Sequence, residues 1–238
     1  MKTNEEQTIR FSENHIRARW LTNVKNYHIE DRTIVVNLGN EQACISAPPE
    51  KYLLPRTSGI YQNVSVSNCD SLLLIEISEE TNIGSIVLDP EWHLLGDISD
   101  FPRNTPLWKS AQYELGTVRF DPRYVTGLSS QPIDSPLRTY RVKVNLWFAP
   151  AKTNCAIHNH HMVPEFLEVH TQIYGAGRMQ KFHAHDFSTL YQDVTMSPGN
   201  THVPFASVDE EGAFIYPWHQ YYADTDCIWM AIEFHPID

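Results

Sequence analysis

Alternation is the property that most limits what this chain can become. In Tyr140 to Phe148, the residues Tyr140, Val142, Val144, Leu146 and Phe148 take every second place, with Arg141, Lys143, Asn145 and Trp147 between them. A period of two sends the first set to one face of a strand and the second set to the other. Runs rich in β-branched and aromatic residues recur at Thr33 to Leu38, Gly59 to Ser67, Ser71 to Ile77, Gly84 to Leu88, Tyr113 to Phe120, Phe166 to Tyr174, Thr189 to Met196, Gly212 to Tyr216 and Cys227 to Phe234. Turn residues separate many of them at intervals of roughly ten. There is no internal repeat, heptad array or long amphipathic helix, and prolines at 90, 102 and 106 keep any helix between Pro90 and Lys109 short. The sequence therefore predicts an all-β chain, an antiparallel sandwich or barrel.

The densest turn chemistry lies at Gly127-Leu128-Ser129-Ser130-Gln131-Pro132-Ile133-Asp134-Ser135-Pro136. Residues 127–137 are read as a linker between a β-rich region, 1–126, and a second domain, 138–238. Cys44, Cys69, Cys155 and Cys227 are far apart with no C-x-x-C, so buried thiols are expected rather than a zinc ribbon or redox pair. With 18 Lys and Arg against 29 Asp and Glu the net charge is -11, the wrong sign for a nucleic-acid binder, and a small molecule is the expected partner. No apolar run approaches the roughly 18 to 20 residues of a membrane span, so no membrane partner is expected. Met1 to Gln7 is polar and acidic with no apolar stretch after it, and the expected location is the cytoplasm.

Of the 12 histidines, only His15, His28 and His93 precede His158. The rest crowd the last third of the chain, and imidazole is the commonest metal ligand. His158 and His160 stand two apart, so in a strand both rings reach one point inside a barrel. In Phe166 to Tyr174, the residues Glu168, His170 and Gln172 share one face while Val169, Thr171 and Ile173 share the other. Tyr216-Pro217-Trp218-His219-Gln220-Tyr221 reads as a turn entering another strand, from which His219 supplies a further imidazole.

In these segments the sequence resembles the cupin superfamily. The family's first motif, Gly-x5-His-x-His-x3-4-Glu-x6-Gly, is matched by His158-x-His160 and by Glu168-x6-Gly175, followed by the hairpin-like Gly175-Ala176-Gly177-Arg178-Met179-Gln180. Its second motif is matched by the Pro198-Gly199 turn and by Gly212 to His219. Seven residues separate His160 from Glu168 where the family has three or four, which leaves Glu165 as an alternative ligand, with His161 beside it. Pro198-Gly199-Asn200-Thr201-His202 offers His202 as an alternative to His219, and Ala223 stands where the motif has Asn. The resemblance covers roughly residues 138 to 238.

It implies a double-stranded β-helix, the cupin jelly-roll barrel, with the region before it either a degenerate second cupin or a β extension that covers the barrel or forms a homodimer. It also implies a metal held by His158, His160, Glu168 and His219. Three imidazoles and one carboxylate suit Fe(II), expected first, or Mn, Ni, Cu or Zn. His170, Gln172, His202 and Tyr221 are candidates for orienting the ligands or for catalysis, and Arg178, Gln180 and Trp218 for binding substrate. His161, His183, His185 and His235 are expected to be bystanders. The expected activity is a dioxygenase-type oxidoreductase acting on a small organic molecule. The alternatives are an isomerase, epimerase or lyase, or a non-catalytic ligand-binding cupin.

Overall fold

The structure, a computed structural model, describes residues 3–46, 48–77, 82–128, 137–159 and 166–237. His160, His161, Glu165 and most of the expected linker lie outside the described residues. Strands with one apolar face must each bury it, and the chain does so in antiparallel layers.

The first layer is a sheet of β1 (Glu5–Ile9), β2 (Ile16–Ile29), β3 (Thr33–Asn37), β4 (Ala43–Ile45), β5 (Lys51–Leu53), β6 (Ser58–Tyr61) and β7 (Val64–Ile77). Its order is β1-β2-β7-β3-β6, with β4 pairing both β7 and β5. Next come β8 (His93–Leu94), β9 (Trp108–Lys109) and β10 (Tyr113–Phe120), which join the sheet of β11 (Arg138–Ala149). Sheet membership thus changes between Ile77 and His93, upstream of residues 127–137.

The remaining strands are β12 (Thr153–Asn154), β13 (Leu167–Tyr174), β14 (Gly177–Phe182), β15 (Leu190–Met196), β16 (Ser207–Val208), β17 (Phe214–Ile215), β18 (Trp218–Ala223) and β19 (Cys227–Pro236). Of these, β13 and β19 extend the β11 sheet in the order β13-β19-β11, while β12, β18, β14 and β15 form a facing sheet in the order β12-β18-β14-β15, and β16 pairs with β17 as a separate ribbon. A bridge between Thr171 and Thr201 adds a further segment outside β13. Successive segments cross between the two sheets in the jelly-roll manner, which is the double-stranded β-helix expected from the resemblance.

Two expectations about individual elements change, and one long strand is added to those expected. Gly84 to Leu88 is a 3-10 turn, Ile83–Leu88, because Asn82 accepts from Gly84 N–H through its side chain at 3.3 Å and from Ser85 N–H through its carbonyl at 2.9 Å. This local capping outweighs the β-branched composition. Gly59 to Ser67 and Ser71 to Ile77 are divided differently, as β6 and one continuous β7, with Asn63 at φ 53° turning the chain between them. β2 was hidden because Asn23 and Asn26, residues that signal turns, interrupt its alternation; both sit at positive φ, 52° and 48°, without breaking its register on β7.

Parity decides which side of each strand meets which layer. Val142, Val144 and Leu146 of β11, Leu167 and Val169 of β13, and Ile232 and Phe234 of β19 join Ile34, Val36, Leu73 and Ile75 of the first layer in one buried cluster. Each such side chain contributes about 1.5–3 kcal/mol by leaving water. The other face of the first layer is covered largely by its own β4 and β5 through Ala43, Ile45 and Leu53. Among the described residues no helix is long and apolar enough to cross a membrane.

Phe234 is fully buried and meets Phe120 edge-on at 5.5 Å. Phe234→Ala is expected to lower the unfolding free energy by about 3–5 kcal/mol in urea titrations.

Candidate metal centre

The faces of β13 and β19 that turn away from the shared core line the space between the two barrel sheets. They carry Glu168, His170 and Gln172 on β13, and Trp229, Ala231 and Glu233 on β19. From the opposite sheet β14 contributes Met179 and Lys181, and β18 contributes His219 and Tyr221. Met179, Tyr221, Cys227 and Trp229 form the apolar end of this interior, with Tyr221 stacked on Trp229 at 3.9 Å.

His158 and His219 are brought together by the backbone. Each donates its N–H to the other's carbonyl, at 2.9 and 2.8 Å, and the ring centroids stand 4.3 Å apart. Nδ1 of His158 lies 3.1 Å from the carbonyl of Ala156, and Nδ1 of His219 lies 2.9 Å from that of Pro217. A carbonyl only accepts, so both contacts require Nδ1–H, and in the neutral ring the lone pair is then on Nε2. This is the arrangement that outer hydrogen bonds impose on metal-ligating histidines. Solvent reaches His158, yet enough protein surrounds the ring that desolvation holds its pKa below the ordinary imidazole value, while the Ala156 carbonyl and Glu168 act the other way. The neutral form is therefore favoured at neutral pH.

Glu168 is fixed at both ends. Its N–H donates to the Tyr216 hydroxyl at 2.8 Å, and that hydroxyl donates to the Phe166 carbonyl at 2.9 Å. Its carboxylate lies 3.3 Å from Nε2 of His170. Nδ1 of His170 is buried and has no hydrogen-bond partner among the described residues. Glu168 is close enough to His158 for its charge to raise the proton affinity of that ring. Among the described residues no three His, Cys, Asp or Glu side chains converge closely enough to hold a metal ion. Among the described residues His158 and His219 make a pair, and His160, His161 and Glu165 lie outside them.

His202 is used structurally. Its Nδ1–H donates to the Val203 carbonyl at 2.9 Å and its Nε2 accepts from the His170 N–H at 2.9 Å, so both ring nitrogens are engaged. Burial, with His170 nearby, pushes its pKa down to about 3. This corrects the expectation that His202 is an alternative ligand. Gln172 is likewise engaged: it accepts from the Tyr221 hydroxyl in a very short hydrogen bond and donates to the carbonyl of Tyr174 at 2.7 Å. Burial raises the Tyr221 pKa far above its ordinary value, so Tyr221 stays protonated.

Arg178, Gln180 and Trp218 are not brought to the interior, which corrects their expected role in binding substrate. By the parity of β14 and β18 they face outward. Arg178 grips Asp224 at 2.7 and 2.8 Å and Asp193 at 3.1 Å, Gln180 accepts from Gln220 at 2.8 Å, and Trp218 stacks on His185 at 5.0 Å. His183 and His185 are exposed, as expected. His235 is not a solvated bystander: it packs on Phe166 at 4.4 Å and reaches Glu233 at 2.7 Å.

Glu233 itself was missed. It is buried, lies directly across from Glu168 in register, and also accepts from Gln112 at 2.9 Å. The signal was available, since Glu233 has the parity of Trp229 and Ala231 in a run otherwise read only as core. Two clefts of about 240 and 700 Å³ lie elsewhere, one beside Ile34, Ile75 and Pro198, the other beside Phe11, Asp89 and Tyr113; neither is lined by histidine.

The buried neutral His202 has a consequence for stability. With a folded pKa near 3 and an unfolded value near 6.5, the unfolded state binds more protons between these pH values. Stability is then lost as pH falls through that window, by up to about 1.4 kcal/mol per unit. His202→Gln keeps an acceptor for the His170 N–H. In metal-free protein it is expected to shrink the stability difference between pH 6.5 and 4.5, measured by urea unfolding, by about 2–3 kcal/mol relative to wild type.

No family model and no curated protein matches the sequence. Among solved structures, the chain is similar to an RmlC-like cupin protein from Desulfovibrio desulfuricans at 16% identity and TM-score 0.28, covering 39% of this chain and 70% of that one. It is also similar to oxalate decarboxylase from Bacillus subtilis at 11% identity and TM-score 0.33, covering 99% and 73%. A third is a protein of unknown function from Pseudomonas syringae pv. tomato, at 12% identity and TM-score 0.27, covering 95% and 85%. Likeness of this extent does not bear on activity, and the fold rests on the chain's own strand order. By that order, the strands from β11 to β19 form an antiparallel barrel of the jelly-roll type.

Proposed function

We propose that the chain is a metal-dependent enzyme acting on a small oxygenated organic molecule in the barrel, with dioxygenase-type oxidation as its reaction class. His158, His160, Glu168 and His219 are the proposed ligands of one divalent transition metal. The observation that carries this reading is the tautomer shared by His158 and His219, which leaves Nε2 of two adjacent rings with the lone pair a metal needs. The donor set fits a borderline divalent ion, of which Fe(II) is one and Mn(II) another.

A bound ion of this kind supplies Lewis-acid polarisation of a substrate oxygen and, when redox-active, electrons for dioxygen chemistry. The residues do the rest. The Ala156 and Pro217 carbonyls hold the two rings in one orientation, Tyr216 fixes the backbone of Glu168, and His170 aims its carboxylate. Desolvation around His158 keeps that ring unprotonated, and the Tyr221–Trp229 stack closes one end of the interior against water.

Purified protein incubated with Fe(II) or Mn(II) and desalted is expected to retain about one equivalent of metal, and His158→Ala or His219→Ala to lose affinity by about tenfold or more while remaining folded. Elemental analysis with circular dichroism checks both. A wild-type chain that retains no transition metal, or variants that retain as much as wild type, would contradict the reading.

A further inference from the structure

Lys181 is a charged side chain that the metal reading leaves unexplained. It lies on β14 directly across from His219, turned inward with Met179, and only 9% of its surface is exposed. Its ammonium sits 4.6 Å from the centre of the Phe205 ring. That ring is 5.0 Å from the His219 ring and 5.2 Å from the His202 ring, which places the ammonium at the edge of the histidine cluster. Among the described residues no carboxylate pairs with it: Glu168 is engaged by His170, and Glu233 by Gln112 and His235.

An aromatic face attracts a cation but accepts none of its N–H bonds in the way an oxygen does. The Lys181 side chain is largely buried while its ammonium nitrogen keeps some contact with solvent, and neither interior carboxylate, Glu168 or Glu233, is set against it. Interior charge of this kind is suited to an anion that arrives from outside.

We propose that Lys181 anchors the anionic group of the ligand, a carboxylate or a phosphate, so that the substrate class is a small organic acid or phosphate ester. This rests on the metal reading for the position of the ligand's other end. Phe205 touches both the ammonium and His219, so a ligand of a few heavy atoms spans the two.

The full chain, metal-free and with added Mn(II), is titrated with acetate, with inorganic phosphate and with acetamide, the neutral counterpart of acetate. Binding is read from the thermal unfolding midpoint and from ligand-observed NMR. Wild type is expected to respond to at least one anion and not to acetamide, and the anion that responds identifies the class. Lys181→Met is expected to bind that anion about tenfold or more weakly while retaining Mn(II) as wild type does, and Lys181→Arg to keep most of the affinity.

Equal anion binding by Lys181→Met and wild type, or a wild type that prefers neither anion to acetamide, overturns the proposal. Should Lys181→Met fail to fold, the wild-type comparison with acetamide and the Lys181→Arg result decide it. Failure of the metal reading shows differently, as absent Mn(II) uptake with anion binding intact in the metal-free protein.

Discussion

The sheet β13-β19-β11 is covered on both sides, and this double burial governs where polar chemistry can lie. One face gives Val142, Val144, Val169, Ile232 and Phe234 to the core shared with the first layer. The other carries Glu168, His170, Gln172 and Glu233 into the space between the barrel sheets. A polar group in such a place needs a partner or becomes costly. The carboxylates and Gln172 meet this condition locally, through His170 on Glu168, Tyr221 on Gln172, and Gln112 and His235 on Glu233, while Nδ1 of His170 does not among the described residues. The first layer therefore supports the site indirectly: it buries the apolar face, which fixes the register and hence the direction of every second side chain.

Much of this was legible in the sequence because strand parity is local. The alternation in Tyr140 to Phe148 and in Phe166 to Tyr174 sorts core from interior without knowledge of the partner strands. The resemblance to cupin motifs adds the crossing order. Partner choice is not local. Whether Arg178 reaches a substrate depends on Asp193 and Asp224, and whether His202 keeps a free ring nitrogen depends on the His170 N–H. No spacing rule reveals either. Glu233 and Lys181 were overlooked for the opposite reason: parity put both inside, but one stands in a run that otherwise reads as core and the other in a polar neighbourhood that reads as a surface loop.

The overall charge of -11 says little about the barrel. The fields that matter there come from a few groups at short range: Glu168 and Glu233 on one sheet, Lys181 on the other, and imidazoles whose neutral form desolvation favours, as at His158 and His202. Such an interior suits the proposed cation beside Glu168 and the proposed anion beside Lys181.

The central claim is that the backbone presents Nε2 of His158 and His219 as the lone-pair nitrogens of a metal site. Long-range proton–nitrogen correlation spectra of metal-free protein labelled with 15N-histidine, recorded near neutral pH, report the tautomer of each ring directly. The account predicts Nδ1–H tautomers for His158 and His219, the opposite tautomer for His170, and movement of the first two Nε2 signals on addition of Zn(II). An Nε2–H tautomer in either His158 or His219, or Nε2 signals that Zn(II) leaves in place, would contradict it.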